Sequence, residues 1–311
     1  MTDRSTTVPR VEKAPFVGSG VALVTPFTAD GSAVNEGVLR ELVRFQITGG
    51  TDALIICGST GEASTMSPEE QRRAVEIAVD EAGRRVPIVA GAGGSDTAAV
   101  CRLATNAKAA RADVLLLSPP PYNKPTQAGI VAHYRAVMDA AGDLPLIVYN
   151  VPGRTACNIL PATIEKLAED PRVVGVKEAS GDLGQISELS RLVGDRVAVY
   201  SGDDLLTAPV MSVGGMGVIS VLANIAPRDT SRMARSFLEG DTAECRRLQL
   251  RYLPLINALF REPNPIPVKA GVKLLGFDVG PVRMPLTWVT DAVLDGLRTE
   301  MEAVGLLGGG R

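Results

Sequence analysis

A chain of 311 residues, 45% of them hydrophobic and with a mean hydropathy of +0.14, can bury one large core and is about right for a single barrel of eight β/α units, typically ~250 residues, plus an appendage. The net charge of −3 is spread without blocks of like sign, which argues against a nucleic-acid surface and against a polybasic membrane anchor. No apolar run approaches the ~20 residues that a membrane-spanning helix needs.

The first segment, MTDRSTTVPRVEKAP (1–15), is polar, contains proline and lacks the apolar centre of a signal peptide, so a flexible tail on a cytoplasmic protein is expected. From residue 16 to about 240, short β-type runs recur, each followed by helical periodicity. They are SGVALVTP (19–26), TDALIICG (51–58), VPIVAGAG (86–93), ADVLLLSP (112–119), LPLIVYNV (144–151), RVVGVKEA (172–179), RVAVYSGD (196–203) and GMGVISVL (215–222). Among the intervening segments, SPEEQRRAVEIAVDEAG shows Ser67 placed to cap and Pro68 at the first helical position, with Ala74, Ile77 and Ala78 forming a buried stripe. Eight strand-then-helix units argue for a parallel sheet with helices outside, and the count favours a closed (β/α)8 TIM barrel over an open doubly wound sheet. No GxGxxG turn follows the first run, which removes the main pointer to a dinucleotide-binding fold. After about residue 240 the rhythm changes. AECRRLQLRYLPLINALF, PIPVKAGVKLLG and TWVTDAVLDGLRTEMEAVG read as helices with no β run between them, a C-terminal helical domain (241–311) whose end, GLLGGGR, is expected to be flexible.

Several chemistries are poorly supported. Cys57, Cys101, Cys157 and Cys245 lie far apart with no CxxC pair, so neither a zinc site nor a disulfide framework is expected. The single histidine, His133, sits in the amphipathic stretch GIVAHYRAVMDAA and reads as a packing or surface residue. CGSTGE is neither a nucleophile elbow, since Cys57 stands where glycine is needed, nor a P-loop, since no Gly-Lys-Ser/Thr follows.

Barrel enzymes carry their chemistry at the C-terminal ends of the strands. Those ends hold Thr25, Ser59 to Glu62, Tyr122, Tyr149, Asn150, Arg154, Lys177, Glu178, Gly202 and Asp203. Alternation along VVGVKE puts Val173, Gly175 and Lys177 on one face and Glu178 on the other. With the first face inward, Gly175 leaves space below and Lys177 rises into the mouth, where partial desolvation lowers its pKa. A neutral amine there attacks a carbonyl carbon to give a carbinolamine and then an imine. The chain has only seven lysines against twenty-five arginines, and arginine cannot do this chemistry. The competing reading is a lysine that snorkels to water and pairs with Glu178. Tyr149, at another strand end, suits the proton shuttle that imine formation needs, or is an ordinary strand aromatic. Arg154 in NVPGRT suits a carboxylate, or lies on the surface. Gly58 and Gly61 around Ser59 and Thr60 permit a tight loop with exposed N–H groups, another carboxylate cradle.

GSTGE, PYNKP, YNVPGRT, VGVKEASGD, YSGDD, GVISV and NPIPVK, in this order over about residues 16 to 290, closely resemble the dihydrodipicolinate synthase family. That family lies in the pyruvate-dependent class I aldolase superfamily, with N-acetylneuraminate lyase. The resemblance implies condensation of pyruvate with L-aspartate 4-semialdehyde, with Lys177 as the Schiff-base lysine and Tyr149 as the proton-relay tyrosine. Ser59 and Tyr122 would complete the relay, Tyr122 reaching into a neighbouring subunit's site. Thr60 would hold the pyruvate carboxylate, Arg154 the semialdehyde's carboxylate, and the carbonyls of Gly202 and Ile219 would line the pocket. No metal and no organic cofactor is implied, because the lysine itself forms the electron sink, and the implied assembly is a homotetramer built as a dimer of dimers.

Two departures from the family pattern stand out. Ser59 replaces the usual threonine, as in the neuraminate lyase branch, so another 2-keto-acid lyase remains the alternative reading, with a non-catalytic keto-acid-binding barrel beyond it. Pro121 replaces a tyrosine of the family's inhibitory lysine site, and Pro68, Gln71, Ser95 and Ala99 stand at other positions of that site. Insensitivity to L-lysine is expected.

Overall fold

The computed structural model describes residues 11–308, so residues 1–10 of the expected tail and 309–311 of the expected flexible end lie outside it. The described chain begins in a turn, with Val11 buried and its carbonyl accepting the Ala14 N–H at 3.0 Å. Eight strands follow: β1 (Gly18–Ala22), β2 (Ala53–Ile56), β3 (Ile88–Ala92), β4 (Val114–Leu117), β5 (Leu146–Asn150), β6 (Val173–Glu178), β7 (Ala198–Ser201) and β8 (Gly217–Ser220). Each pairs in parallel with its neighbours in sequence, and β8 pairs with β1 to close the barrel. Each falls on one of the expected apolar runs, β1 starting one residue early. Such runs are buried on both faces, which is why they read as continuous Val, Ile and Leu rather than as alternating segments.

The two faces pack into separate clusters. Inside the barrel lie Ile55, Val89, Leu116, Ile147, Tyr149 and Tyr200, floored by Phe16, whose ring stacks on Tyr200 at 4.3 Å while the Tyr200 hydroxyl donates to the Phe16 carbonyl at 2.6 Å. A larger cluster fills the space between barrel and helices. The β6 alternation is not the simple one expected. Leu146 pairs with Val173 but Ile147 with Gly175, so Val174 is an extra residue in the ladder, and Val173 packs outward while Val174 joins the inner cluster. Gly175 also has a different role from the one expected. A Cβ there would meet Ile147 Cγ1 at 3.1 Å and Tyr200 Cε2 at 3.2 Å, so the glycine admits those side chains rather than leaving empty space below Lys177.

The helix Pro68–Ala82 forms as its sequence suggests: the Ser67 hydroxyl accepts the Glu70 N–H at 3.1 Å, and the Glu70 carboxylate accepts the Ser67 N–H at 2.9 Å. His133 is buried in the helix Gln127–Ala141, its Nδ1 sharing a hydrogen bond of 2.9 Å with the Thr97 hydroxyl, and burial lowers its pKa. After the helix Pro227–Leu238, three more follow: Thr242–Leu259, Ile266–Leu274 and Asp291–Ala303. The second is tied to the barrel by a fully buried ion pair. Lys269 Nζ lies 2.7 Å from Glu62 Oε1 and 2.7 Å from the Pro281 carbonyl, and Arg283 N donates to Glu62 Oε2 at 2.8 Å. Arg283 also grips Glu70 through two bonds of 2.8 and 2.6 Å, and the Phe27 ring lies 4.1 Å from the Lys269 ammonium and 4.0 Å from the guanidinium of Arg283. This brace holds the C-terminal helices against the loop after β2.

Candidate active site

The C-terminal ends of the strands surround a cavity of about 400 Å³ whose lining includes Ser59, Tyr149, Arg154, Lys177 and Asn264. Lys177 and Tyr149 face each other across the β5–β6 ladder, with the amine 4.3 Å from the ring centroid. Lys177 is 6% exposed and, among the described residues, forms no ion pair. Burial brings its pKa down to about 7; the Asp204 carboxylate pulls it back up, and the Arg154 guanidinium pushes it further down. A large share of this amine is therefore neutral at physiological pH, the state that attacks a carbonyl.

The pairing of Lys177 with Glu178 does not occur. Glu178 points to the opposite face, where its carboxylate accepts Asn150 Nδ2 at 3.0 Å and the Ser180 N–H at 2.7 Å. Burial raises its pKa. Asp204, unremarked in the sequence beyond its place in YSGDD, is the carboxylate that acts on Lys177 from a distance. It is itself held by the Ser220 hydroxyl at 2.5 Å and by the N–H groups of Val221 and Leu222, both at 2.9 Å.

Burial raises the Tyr149 hydroxyl to about 12, while Arg154 and the Ser59 hydroxyl beside it act in the opposite sense. The tyrosine therefore stays protonated and is able to donate, with its shift moderated by the two neighbours that can pass or stabilise charge. Arg154 stands on the one-turn helix Pro152–Thr155, and its Nη2 donates to the Asn264 carbonyl at 3.1 Å. Thr60 is buried, its hydroxyl oxygen accepting Asn264 Nδ2 at 2.9 Å.

The loop carrying Ser59 and Thr60 is bounded by two residues in left-handed backbone, Cys57 at φ 58 and Glu62 at φ 55. Gly61 between them lies close against the barrel: an added Cβ would meet Leu23 O and Thr25 Oγ1 at 3.1 Å, so a larger residue there would push those atoms aside. Among the described residues, the N–H groups of Ser59 and Thr60 have no hydrogen-bond acceptor in this loop, which leaves them free for an anion.

The remaining expected residues are placed less directly. Tyr122 is 88% exposed with φ 70, and its N–H donates to the Thr155 carbonyl at 3.3 Å; it does not enter this chain's own cavity. Gly202 packs against the lysine stem, since a Cβ there would lie 3.1 Å from Lys177 Cγ, but it contributes nothing to the cavity lining. Ile219 is buried in the inner barrel cluster and likewise stays out of the lining. Pro263, Asn264 and Pro265 line the cavity without having been expected there, although Asn264 and Pro265 open the visible motif NPIPVK and Pro263 directly precedes it.

Residues 15–304 match the dihydrodipicolinate synthetase family. This chain belongs to that family. It is thereby an enzyme, of the lyase class. A 4-hydroxy-tetrahydrodipicolinate synthase of Lachnoclostridium phytofermentans is 48% identical over 295 residues, covering 94% of this chain and all of the relative. Two family structures superpose closely. The Cyanidioschyzon merolae enzyme crystallised with lysine bound is 41% identical at a TM-score of 0.91, covering 94% of this chain and 100% of that one. The chloride-inhibited Acinetobacter baumannii enzyme complexed with pyruvate is 40% identical at a TM-score of 0.91, covering 94% and 99%. The cavity is lined by the loops after β2, β3, β4 and β5, by Lys177 near the end of β6, and by the connection between the helices Thr242–Leu259 and Ile266–Leu274.

Proposed function

We propose that this lyase condenses pyruvate with L-aspartate 4-semialdehyde through an imine on Lys177, as a 4-hydroxy-tetrahydrodipicolinate synthase of the diaminopimelate and lysine pathway in the cytoplasm. The observation that carries the reading is a buried amine with a pKa of about 7, set against Tyr149 in a cavity that Ser59 also lines, with no ion-pair partner for the amine and no acceptor for the Ser59 and Thr60 N–H groups among the described residues. The neutral amine adds to the ketone carbon of pyruvate, whose carboxylate is taken by Thr60 and the free N–H groups. Tyr149, relayed through Ser59, delivers the proton with which the carbinolamine hydroxyl leaves as water. The resulting iminium withdraws electrons from the adjacent methyl, which gives a proton back to the Tyr149–Ser59 relay and becomes an enamine. That carbon attacks the aldehyde, and Arg154 holds the second substrate's carboxylate. The Acinetobacter relative was crystallised with pyruvate, which supports the first substrate.

An exposed Tyr122 fits donation to a neighbouring subunit, and a homotetramer built as a dimer of dimers is the assembly we propose. L-Lysine is proposed not to inhibit. The Gln71 amide already donates to the Ala63 carbonyl at 2.9 Å and the Ser95 hydroxyl to the Pro121 carbonyl at 3.0 Å, and none of Pro68, Gln71, Ser95, Ala99 and Pro121 carries a charge to pair with an amino acid. Strong inhibition at low-millimolar lysine would refute that part. Ser59 favours a second reading, a lyase for a longer 2-keto acid.

Reductive trapping tests the chemistry. After incubation with pyruvate and borohydride, peptide mapping is expected to find the adduct on Lys177; an unmodified chain, or an adduct elsewhere, would end the imine reading. Coupled assays with aspartate semialdehyde and with N-acetylneuraminate then decide between the two substrates.

A further inference from the structure

Asn264 lies between the helices Thr242–Leu259 and Ile266–Leu274 and touches both groups assigned to substrate carboxylates. Its Nδ2 donates to Thr60 Oγ1 at 2.9 Å, and its main-chain oxygen accepts Arg154 Nη2 at 3.1 Å. It is 7% exposed and lines the cavity. Its Oδ1 is buried with no hydrogen-bond partner among the described residues. A buried acceptor left unsatisfied is destabilising, so an apolar side chain would serve packing better. The amide also imposes a direction on its partner. A threonine hydroxyl that accepts from Asn264 keeps its own hydrogen for another acceptor.

We propose that Asn264 is a positioning residue for the keto-acid site. It fixes the Thr60 hydroxyl so that its hydrogen goes to the substrate carboxylate, and it holds the Arg154 guanidinium alongside. The Lys269–Glu62 ion pair, five residues further on, clamps the same loop at its other end. The C-terminal helices thus set the geometry of a carboxylate cradle that belongs to the barrel. This inference rests on the imine reading above.

The test compares Asn264→Ala and Asn264→Asp with the native enzyme. Asn264→Ala is expected to raise KM for pyruvate roughly tenfold, as for loss of one oriented hydrogen bond, with kcat changed less than about threefold and no fall in melting temperature. Asn264→Asp keeps the size but offers only acceptors, so Thr60 turns its hydrogen away from substrate and KM rises further. In a Thr60→Val background, Asn264→Ala should add almost nothing, because the asparagine acts through that hydroxyl. A pyruvate KM within about twofold of native in both variants, or effects that multiply independently, would overturn the proposal. If Asn264→Ala does not fold, the isosteric Asn264→Asp carries the same decision. Failure of the native enzyme to trap pyruvate on Lys177 instead sinks the imine reading, a result that differs from trapping with an unmoved KM.

Discussion

Lys177 and Lys269 are both buried, at 6% and 0% exposure, and both have pKa values brought below the ordinary lysine range, to about 7 and about 8. Burial leads in each case, but the two sites answer it differently. Lys269 meets Glu62 at 2.7 Å and a carbonyl at 2.7 Å, which favours the ammonium and makes it a cross-brace between helices and barrel. Lys177 meets an aromatic face, with its counter-charge on Asp204 held away by three hydrogen bonds of its own. Desolvation therefore does not by itself distinguish a reactive lysine. The distinguishing feature is a desolvated amine whose charged form is left without a close partner.

The comparison breaks hardest at Lys177 itself. Lys177→Arg keeps a cation but has no neutral form to act as nucleophile, so turnover should fall at least ~10³-fold with no trapped adduct, measured by coupled assay and intact mass. Lys269→Met should strike the fold and loosen the carboxylate cradle while leaving the reactive amine in place. It leaves Glu62 buried without its ammonium, at a cost of about 3–5 kcal/mol, and calorimetry should show the melting temperature lower by roughly 10 °C while Lys177 still traps pyruvate. The pH dependence of trapping sharpens the contrast. The neutral amine is the reactive form, so the rate should rise about tenfold from pH 6 to pH 8 and level off above a midpoint near 7, whereas an ordinary lysine would climb ~100-fold without a plateau. The smallest effect is expected at Ser59→Thr. Both residues carry the hydroxyl beside Tyr149 and differ by a methyl that restricts the rotamer, so kcat should move less than about threefold.

How much of this was legible depends on the reach of the signal. The eight strands, the cap at Ser67, and the placement of Lys177, Tyr149 and Arg154 at the rim are encoded over a few residues, by alternation, apolar runs and turn chemistry. The extra residue at Val174 was not legible, because a bulge leaves no mark in a stretch of valines. Nor were the contacts of Asn264 with Thr60 and Lys269 with Glu62, which join positions 204 and 207 residues apart. Their motifs, GSTGE and NPIPVK, could be seen, but no spacing rule pairs one with the other. Gly175 shows the same limit: alternation found its face, and only packing showed which side chains fill the room it makes.

The bulge at Val174 divides β6 into two segments that are phased separately, Val173 below and Gly175 to Glu178 above. The aim of Lys177 at Tyr149 is therefore set by the pairings of the upper segment with β5 and β7, and not by which way Val173 faces.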